Sequence, residues 1–204
     1  MNAAKSSGLI ELHIAVLMFG GTALFSKLIP LSALDITLLR CCVASVVLGL
    51  LVKFRRQHLT LASKQDYLVA IGLGVIVSLH WVTYFAAMQL SSVAIGMIAF
   101  FTYPVMTVIA EPLLTGHKIK SQDIASGVLV LIGVILLIPE ANLGNDTTLG
   151  IAIGILSAML FTARNLLQKR YFTQYSGPHA MFYQTLVAVV FCCLGMRPSL
   201  TVFH

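Results

Sequence analysis

The chain has 204 residues, 58% of them hydrophobic and only 10% charged, with a mean hydropathy of +0.94 and a formal net charge of +6. A soluble domain carries about 25% charged residues, so this chain has too little charge to cover a water-facing surface, and the composition points to a polytopic helical membrane protein. The basic residues are dispersed in short loops between apolar runs, which argues against nucleic acid as a partner.

Seven apolar segments are long enough to span a bilayer, over about 9–29, 34–52, 66–88, 91–114, 122–139, 148–168 and 178–196. The first begins after a single Lys, as a signal peptide would, but it runs on to about residue 29 without a small-residue cleavage site, so it reads as a retained span. Turn residues punctuate the short connections: Pro30 and Ser32, then Gly116, then Pro139 with ANLGNDTT, then Ser176-Gly177-Pro178. No connection is long enough for a soluble domain. With the N-terminus cytoplasmic, the inner loops hold nine basic residues: Lys5, Lys53, Arg55, Arg56, Lys64, Lys118, Lys120, Lys169 and Arg170. The outer side holds only Arg197. The positive-inside rule therefore sets the N-terminus inside and, after seven spans, the C-terminus outside.

Small residues recur within the spans, and Gly150-Ile-Ala-Ile-Gly154 is a GxxxG of the kind that lets two helices approach closely. The four cysteines form two adjacent pairs, Cys41–Cys42 and Cys192–Cys193, with no CxxC and no metal-ligand spacing. They read as small apolar fillers. No metal site and no cofactor are expected. Catalytic signatures are absent as well: there is no GxSxG, no HExxH, no GxxxxGK[ST] and no acidic dyad on one helix face.

The second and seventh spans look alike. Asp35-ITLLRCCVASVV aligns without gaps on His179-AMFYQTLVAVVF at an offset of 144, and FGGTALFSK of the first span resembles FTARNLLQK of the sixth more loosely. A repeat of five helices, an odd number, places its two copies in opposite orientations, the inverted-repeat plan of many transporters.

At these residues the sequence resembles the EamA-type transporters of the drug/metabolite transporter superfamily. The resemblance rests on FGGTALFSK, on the Arg40-centred start of the second span, on YFAAMQLSSVAIGMIAFFTYPVMTVI, and on SQDIASGVLVLIGVILL, in that order over roughly residues 10–195. Two features depart from it. The acidic residue that the family places at the end of the fourth helix is replaced by Gly116-His117-Lys118, so its role is not carried over to Glu111. The family is also expected to have ten spans, three more than this chain. The resemblance implies an all-α integral membrane fold with one complete five-helix repeat over 9–139, the start of a second, inverted repeat over 148–196, and a short tail over 197–204. It implies a multi-pass permease or exporter of small metabolites or drugs in the plasma (inner) membrane, working by alternating access. The alternative is a truncated, non-transporting fragment, or a half-transporter that assembles as a homo-oligomer. An intramembrane enzyme is a remote third reading.

Ionisable residues inside the spans are the candidates for a site, because a cation at mid-bilayer costs about 2.5–3.5 kcal/mol even on lenient insertion scales and usually faces a partner or a wet cavity. Arg40 lies about 5 Å from the centre of its span, too deep for easy snorkelling. Asp35, five residues away, is off the i,i+4 spacing and a poor partner. Lys27 lies about 12 Å outward of its span's centre and either snorkels or joins Arg40 in a polar cavity for an anionic group such as a carboxylate. Arg164 falls in the inner half of the sixth span, where an inverted repeat would place the counterpart of an outer-half cation, or it snorkels to the inner interface.

His80, Trp81 and Tyr84 sit near the middle of the third span, with His80 and Tyr84 on one face, and Tyr103-Pro104 is near the centre of the fourth. Pro104 removes a helical hydrogen bond and opens the helix locally. These groups suit a pocket for a small amphipathic solute, or ordinary interhelical packing. Gln184 is a further candidate to line that pocket. Glu11 and His13, near the cytoplasmic end of the first span, are weak proton-coupling candidates in the manner of small multidrug exporters, against a bland reading as solvated groups at a helix N-terminus.

Overall fold

In the computed structural model, the described residues are 9, 13, 14, 21, 28–56, 58–116, 121–137 and 145–196. They form helices throughout: α1 (Ala33–Phe54), α2 (Lys64–Leu90), α3 (Val93–Phe100), α4 (Tyr103–Thr115), α5 (Ser121–Leu137), α6 (Asn145–Tyr171) and α7 (Gly177–Met196). Five spans among them are long and apolar enough to cross a membrane: Ala33–Phe54, Lys64–Leu90, Val93–Pro112, Asp146–Tyr171 and Gly177–Gly195. The 17-residue α5 adds a sixth apolar helix. The expected first span lies almost wholly outside the described residues, as do the loop over 138–144 and the tail over 197–204.

Helix starts are set locally. Ser32 and Asp35 form a reciprocal capping box at α1: Asp35 N donates to Ser32 Oγ at 3.2 Å, and Ser32 N donates to Asp35 Oδ2 at 3.3 Å. Ser63 and Asp66 do the same at α2, and Ser92 Oγ accepts from Ile95 N at α3. Each box satisfies two of the amides a helix start leaves open and places a carboxylate at the positive end of the dipole.

The fourth span is broken. Pro104 has no N–H to give the carbonyl of Phe100, and its ring crowds that carbonyl, so the helix stops at Phe100 and restarts at Tyr103. The break is bridged by side chains. Thr102 Oγ1 donates to the Ala99 carbonyl at 2.7 Å, and Thr162 Oγ1 reaches across from α6 to the Tyr103 carbonyl at 3.2 Å. In lipid a hydroxyl needs a protein partner, and the carbonyls beside the break provide one for each threonine.

The bundle is built around α2 and α6, which pack on each other. α2 also touches α1, α3 and α7, and α6 touches α3 and α4. Without a hydrophobic driving force between helices in lipid, close packing must hold them together, and small residues allow it. A Cβ on Gly74 of α2 would stand 2.5 Å from Val187 Cβ of α7, and one on Gly154 of α6 would stand 2.6 Å from Ala99 Cβ of α3. Gly150 meets Ser91 just as closely, so both glycines of the GxxxG lie at a crossing. Gly72 has nothing near it and faces outward.

α1 and α7, the two spans that align at an offset of 144, pack antiparallel. Gly49, late in α1, abuts Phe182, early in α7, whereas Leu34, early in α1, abuts Gly195, late in α7. At one end of the bundle the 55–63 connection is tied to the α6–α7 turn. Tyr175 Oη donates to Asp66 Oδ2 at 2.8 Å and accepts from Ala62 N at 2.7 Å, Gln174 Nε2 donates to Asp66 Oδ1 at 2.9 Å, and Tyr183 Oη donates to the Leu59 carbonyl. Partial desolvation and, after it, the Asp66 carboxylate raise the Tyr175 phenol above its ordinary pKa, so it remains a donor. This end also carries Lys53, Arg55, Arg56, Lys64, Lys169 and Arg170, together with the Lys169–Glu111 ion pair between α6 and α4.

Candidate functional site

Three helices carry stripes of buried and half-buried side chains. On α2 the stripe is Val77, Trp81, Tyr84 and Met88; on α6 it is Ser157, Phe161, Arg164 and Gln168; on α7 it is Met181, Gln184, Ala188 and Cys192. Each is a run at i, i+3 or i+4, i+7 and i+11, one face of a 3.6-residue helix. Most of the candidates named from sequence fall on these stripes or beside them.

Arg40 projects from α1 onto the aromatic faces of α2, with its Cζ 5.6 Å from the Trp81 ring centroid and 5.1 Å from that of Phe85. Cation–π attraction of this kind strengthens as water is excluded. Asp35 is committed to the α1 cap, and no other described carboxylate approaches Arg40. Its positive charge has aromatic company but no counter-ion among the described residues.

His80 is buried, 4% exposed, and joins α2 to α6. Its Nδ1 lies 2.9 Å from Ser157 Oγ and 3.1 Å from the Ser157 carbonyl, while Ser157 Oγ donates to the His80 carbonyl at 3.0 Å. The serine proton is thus spent on a carbonyl, and both groups facing Nδ1 are acceptors. The network therefore assigns the imidazole proton to Nδ1 and leaves Nε2 with its lone pair. The ring stands among aromatic neighbours, with centroids 4.9 Å from Phe161, 5.3 Å from Phe100 and 6.1 Å from Tyr84. Tyr103 completes this group, 5.0 Å from Phe100 and 4.8 Å from Phe161.

Arg164 and Gln184 meet directly. Arg164 Nε donates to Gln184 Oε1 at 2.8 Å, Nη1 to Asn165 Oδ1 at 2.9 Å, and Nη2 to Met181 Sδ at 3.2 Å. Gln184 is fully buried and passes the chain on, its Nε2 donating to Gln168 Oε1 at 3.0 Å. Every described partner of this guanidinium is neutral. Trp81 and Met181 both pack against the cluster of Cys41, Val77 and Ala188, so the Arg40 and Arg164 neighbourhoods rest on one layer of side chains.

The described carboxylates lie at helix ends: Asp35 and Asp66 in capping boxes, Asp146 in the first turn of α6, and Glu111 late in α4 against Lys169. The interior thus holds two arginines and no described acid.

The structure gathers Arg40, His80, Trp81, Tyr84, Tyr103, Arg164 and Gln184 into this central region. Lys27 and Glu11 lie outside the described residues. His13 is exposed, with its Nδ1 2.7 Å from the Leu9 carbonyl one turn back, and has no described contact with the central group. Ser157, Phe161, Asn165, Gln168 and Met181 were not singled out from the sequence. The 4-3-4 spacing of Ser157, Phe161, Arg164 and Gln168 was the available signal for most of them. No group of three or more His, Cys, Asp or Glu side chains able to hold a metal occurs among the described residues.

The chain is similar to known proteins over most of its length. The chain is 24% identical over 172 residues to an uncharacterized transporter of Bacillus subtilis (strain 168), an alignment that covers 81% of this chain and 54% of that protein. The chain therefore spans about half the length of the curated relative it matches. No solved structure matches it. The model of the EamA-like transporter family matches residues 6–138, well over half of the chain. A multi-pass helical bundle with charged and aromatic groups turned inward, and with no enzyme signature, is in keeping with that match, and the chain belongs to the EamA-like transporter family.

Proposed function

We propose that the chain moves a small solute bearing an anionic group across the plasma membrane by alternating access, with Arg40 as the group that receives the anion. One observation carries the reading: a guanidinium deep in a membrane span, over Trp81 and Phe85, with no counter-ion among the described residues. A charge kept in that place is costly unless something pairs with it. The antiparallel packing of α1 against α7 supports an inverted-repeat plan, and the break at Phe101-Thr102 supports a helix that opens beside the site. The basic residues gathered at one end of the bundle support an orientation with that end, and the N-terminus, in the cytoplasm.

Trp81 is the only tryptophan in the chain, so its fluorescence reports on the neighbourhood of Arg40 without a second tryptophan signal. Sodium propionate, titrated at fixed ionic strength into the detergent-solubilised protein, is expected to change Trp81 emission saturably, and Arg40→Ala is expected to reduce the change. An Arg40→Ala titration indistinguishable from the wild type would refute the assignment.

A further inference from the structure

We propose that Arg164, Gln168 and Gln184 form a second anion station, shaped for a single carboxylate and separate from Arg40, which the Met181 sulfur occupies in this structure. The inference deepens the reading that the chain binds an anionic solute and rests on it.

A guanidinium has five N–H donors, and the best use of them is a bidentate pair with a carboxylate. Here three donors are described in use, on two amide oxygens and a thioether. The thioether is a weak acceptor. It sits 3.2 Å from Nη2, where a carboxylate oxygen would make a charge-assisted bond of about twice the strength of a neutral one. Met181 has an unbranched, adaptable side chain, well suited to withdraw when a stronger acceptor arrives.

The remaining partners hold the guanidinium in place. Gln184 is fully buried, its Oε1 takes Arg164 Nε, and its Nε2 is anchored on Gln168. The Gln184 amide therefore has one workable orientation, and it fixes the plane of the arginine. Charge selects the ligand. One cation with only neutral neighbours is balanced by a monoanion, whereas a phosphate dianion would leave a negative charge uncompensated where charge is expensive. The station differs from that of Arg40, which rests on Trp81 and Phe85, while Arg164 rests on Met181 and the amides. Trp81 and Met181 pack against one layer, so the neighbourhoods of the two arginines share it.

Thermal unfolding of the purified full chain in detergent tests this without any transport assay. Met181→Glu tethers a carboxylate where the sulfur sits, and Met181→Leu is the apolar control. The glutamate variant is expected to melt above the leucine variant by about 2–4 °C, and to melt below it when Arg164→Gln is also present. Sodium propionate, against sodium chloride of equal ionic strength, is expected to raise the melting temperature of the wild type and of Arg40→Gln. In Met181→Glu, where the station is already filled, the propionate response from this station should be lost, leaving that of Arg40. A glutamate variant that melts no higher than the leucine variant overturns the station. So does an Arg40→Gln protein that does not respond to propionate. A larger response to sodium phosphate than to propionate overturns the carboxylate assignment. Loss of the response in Arg40→Gln strikes the second station, whereas an unchanged Trp81 titration in Arg40→Ala strikes the first.

Discussion

Arg40 owes its character to what surrounds it as much as to its charge. The faces of Trp81 and Phe85 hold the guanidinium 5.6 and 5.1 Å from their centroids, and a flat cation fits such faces better than a compact ammonium. Arg40→Lys keeps the charge but loses the planar contact, so it is expected to bind propionate about tenfold more weakly by Trp81 fluorescence, the equivalent of about 1.4 kcal/mol. Equal affinity would mean that charge alone matters there. The sequence exposed this residue plainly, because an arginine near the middle of an apolar span is conspicuous. It also placed His80 and Tyr84 on one face. The pairing of Arg164 with Gln184 could not be read in the same way, since it joins side chains twenty positions apart on different helices. The Nδ1–H tautomer of His80 likewise depends on Ser157, 77 residues away.

At the scale of the element, packing is set by where side chains are missing. Gly74 lets α2 and α7 touch, with Val187 and the Gln184 carbonyl both within 3.2 Å of the position of a Cβ. Gly74→Val would force the two helices apart and loosen the anchor of Gln184. Overpacking of this kind costs about 1–3 kcal/mol, so the variant is expected to melt several degrees below the wild type in detergent, whereas Gly72→Val, on the open face of the same helix, should melt with it. Equal melting of both variants would remove the crossing at Gly74 from the account. The expected spans from the second to the seventh match the helices closely, because long apolar runs in lipid have few alternatives to helix. Pro104 foretold an opening in the fourth span. Its form, a two-residue break bridged by Thr102 and Thr162, depends on a hydroxyl supplied from α6 and so on tertiary contact.

For the whole molecule, charge is segregated among the described residues. Basic side chains and capping carboxylates occupy the helix ends, while the described interior carries the two arginines among aromatic and amide groups. Such an interior attracts anions and disfavours cations. The inverted-repeat reading enters here through the antiparallel pair α1 and α7 and through the 144-residue offset that sets Arg40 against Gln184 in the alignment. Family membership is legible over residues 6–138, where several loose motifs occur in a set order and spacing. Solute identity is not, because it depends on the geometry of a few side chains. The most direct test is flux. Proteoliposomes containing the chain and loaded with labelled propionate are expected to exchange it with external propionate faster than protein-free liposomes, and Arg40→Ala is expected to remove the difference while inserting into the membrane at wild-type levels. Exchange no faster than in empty liposomes, or exchange that Arg40→Ala leaves intact, would contradict the account.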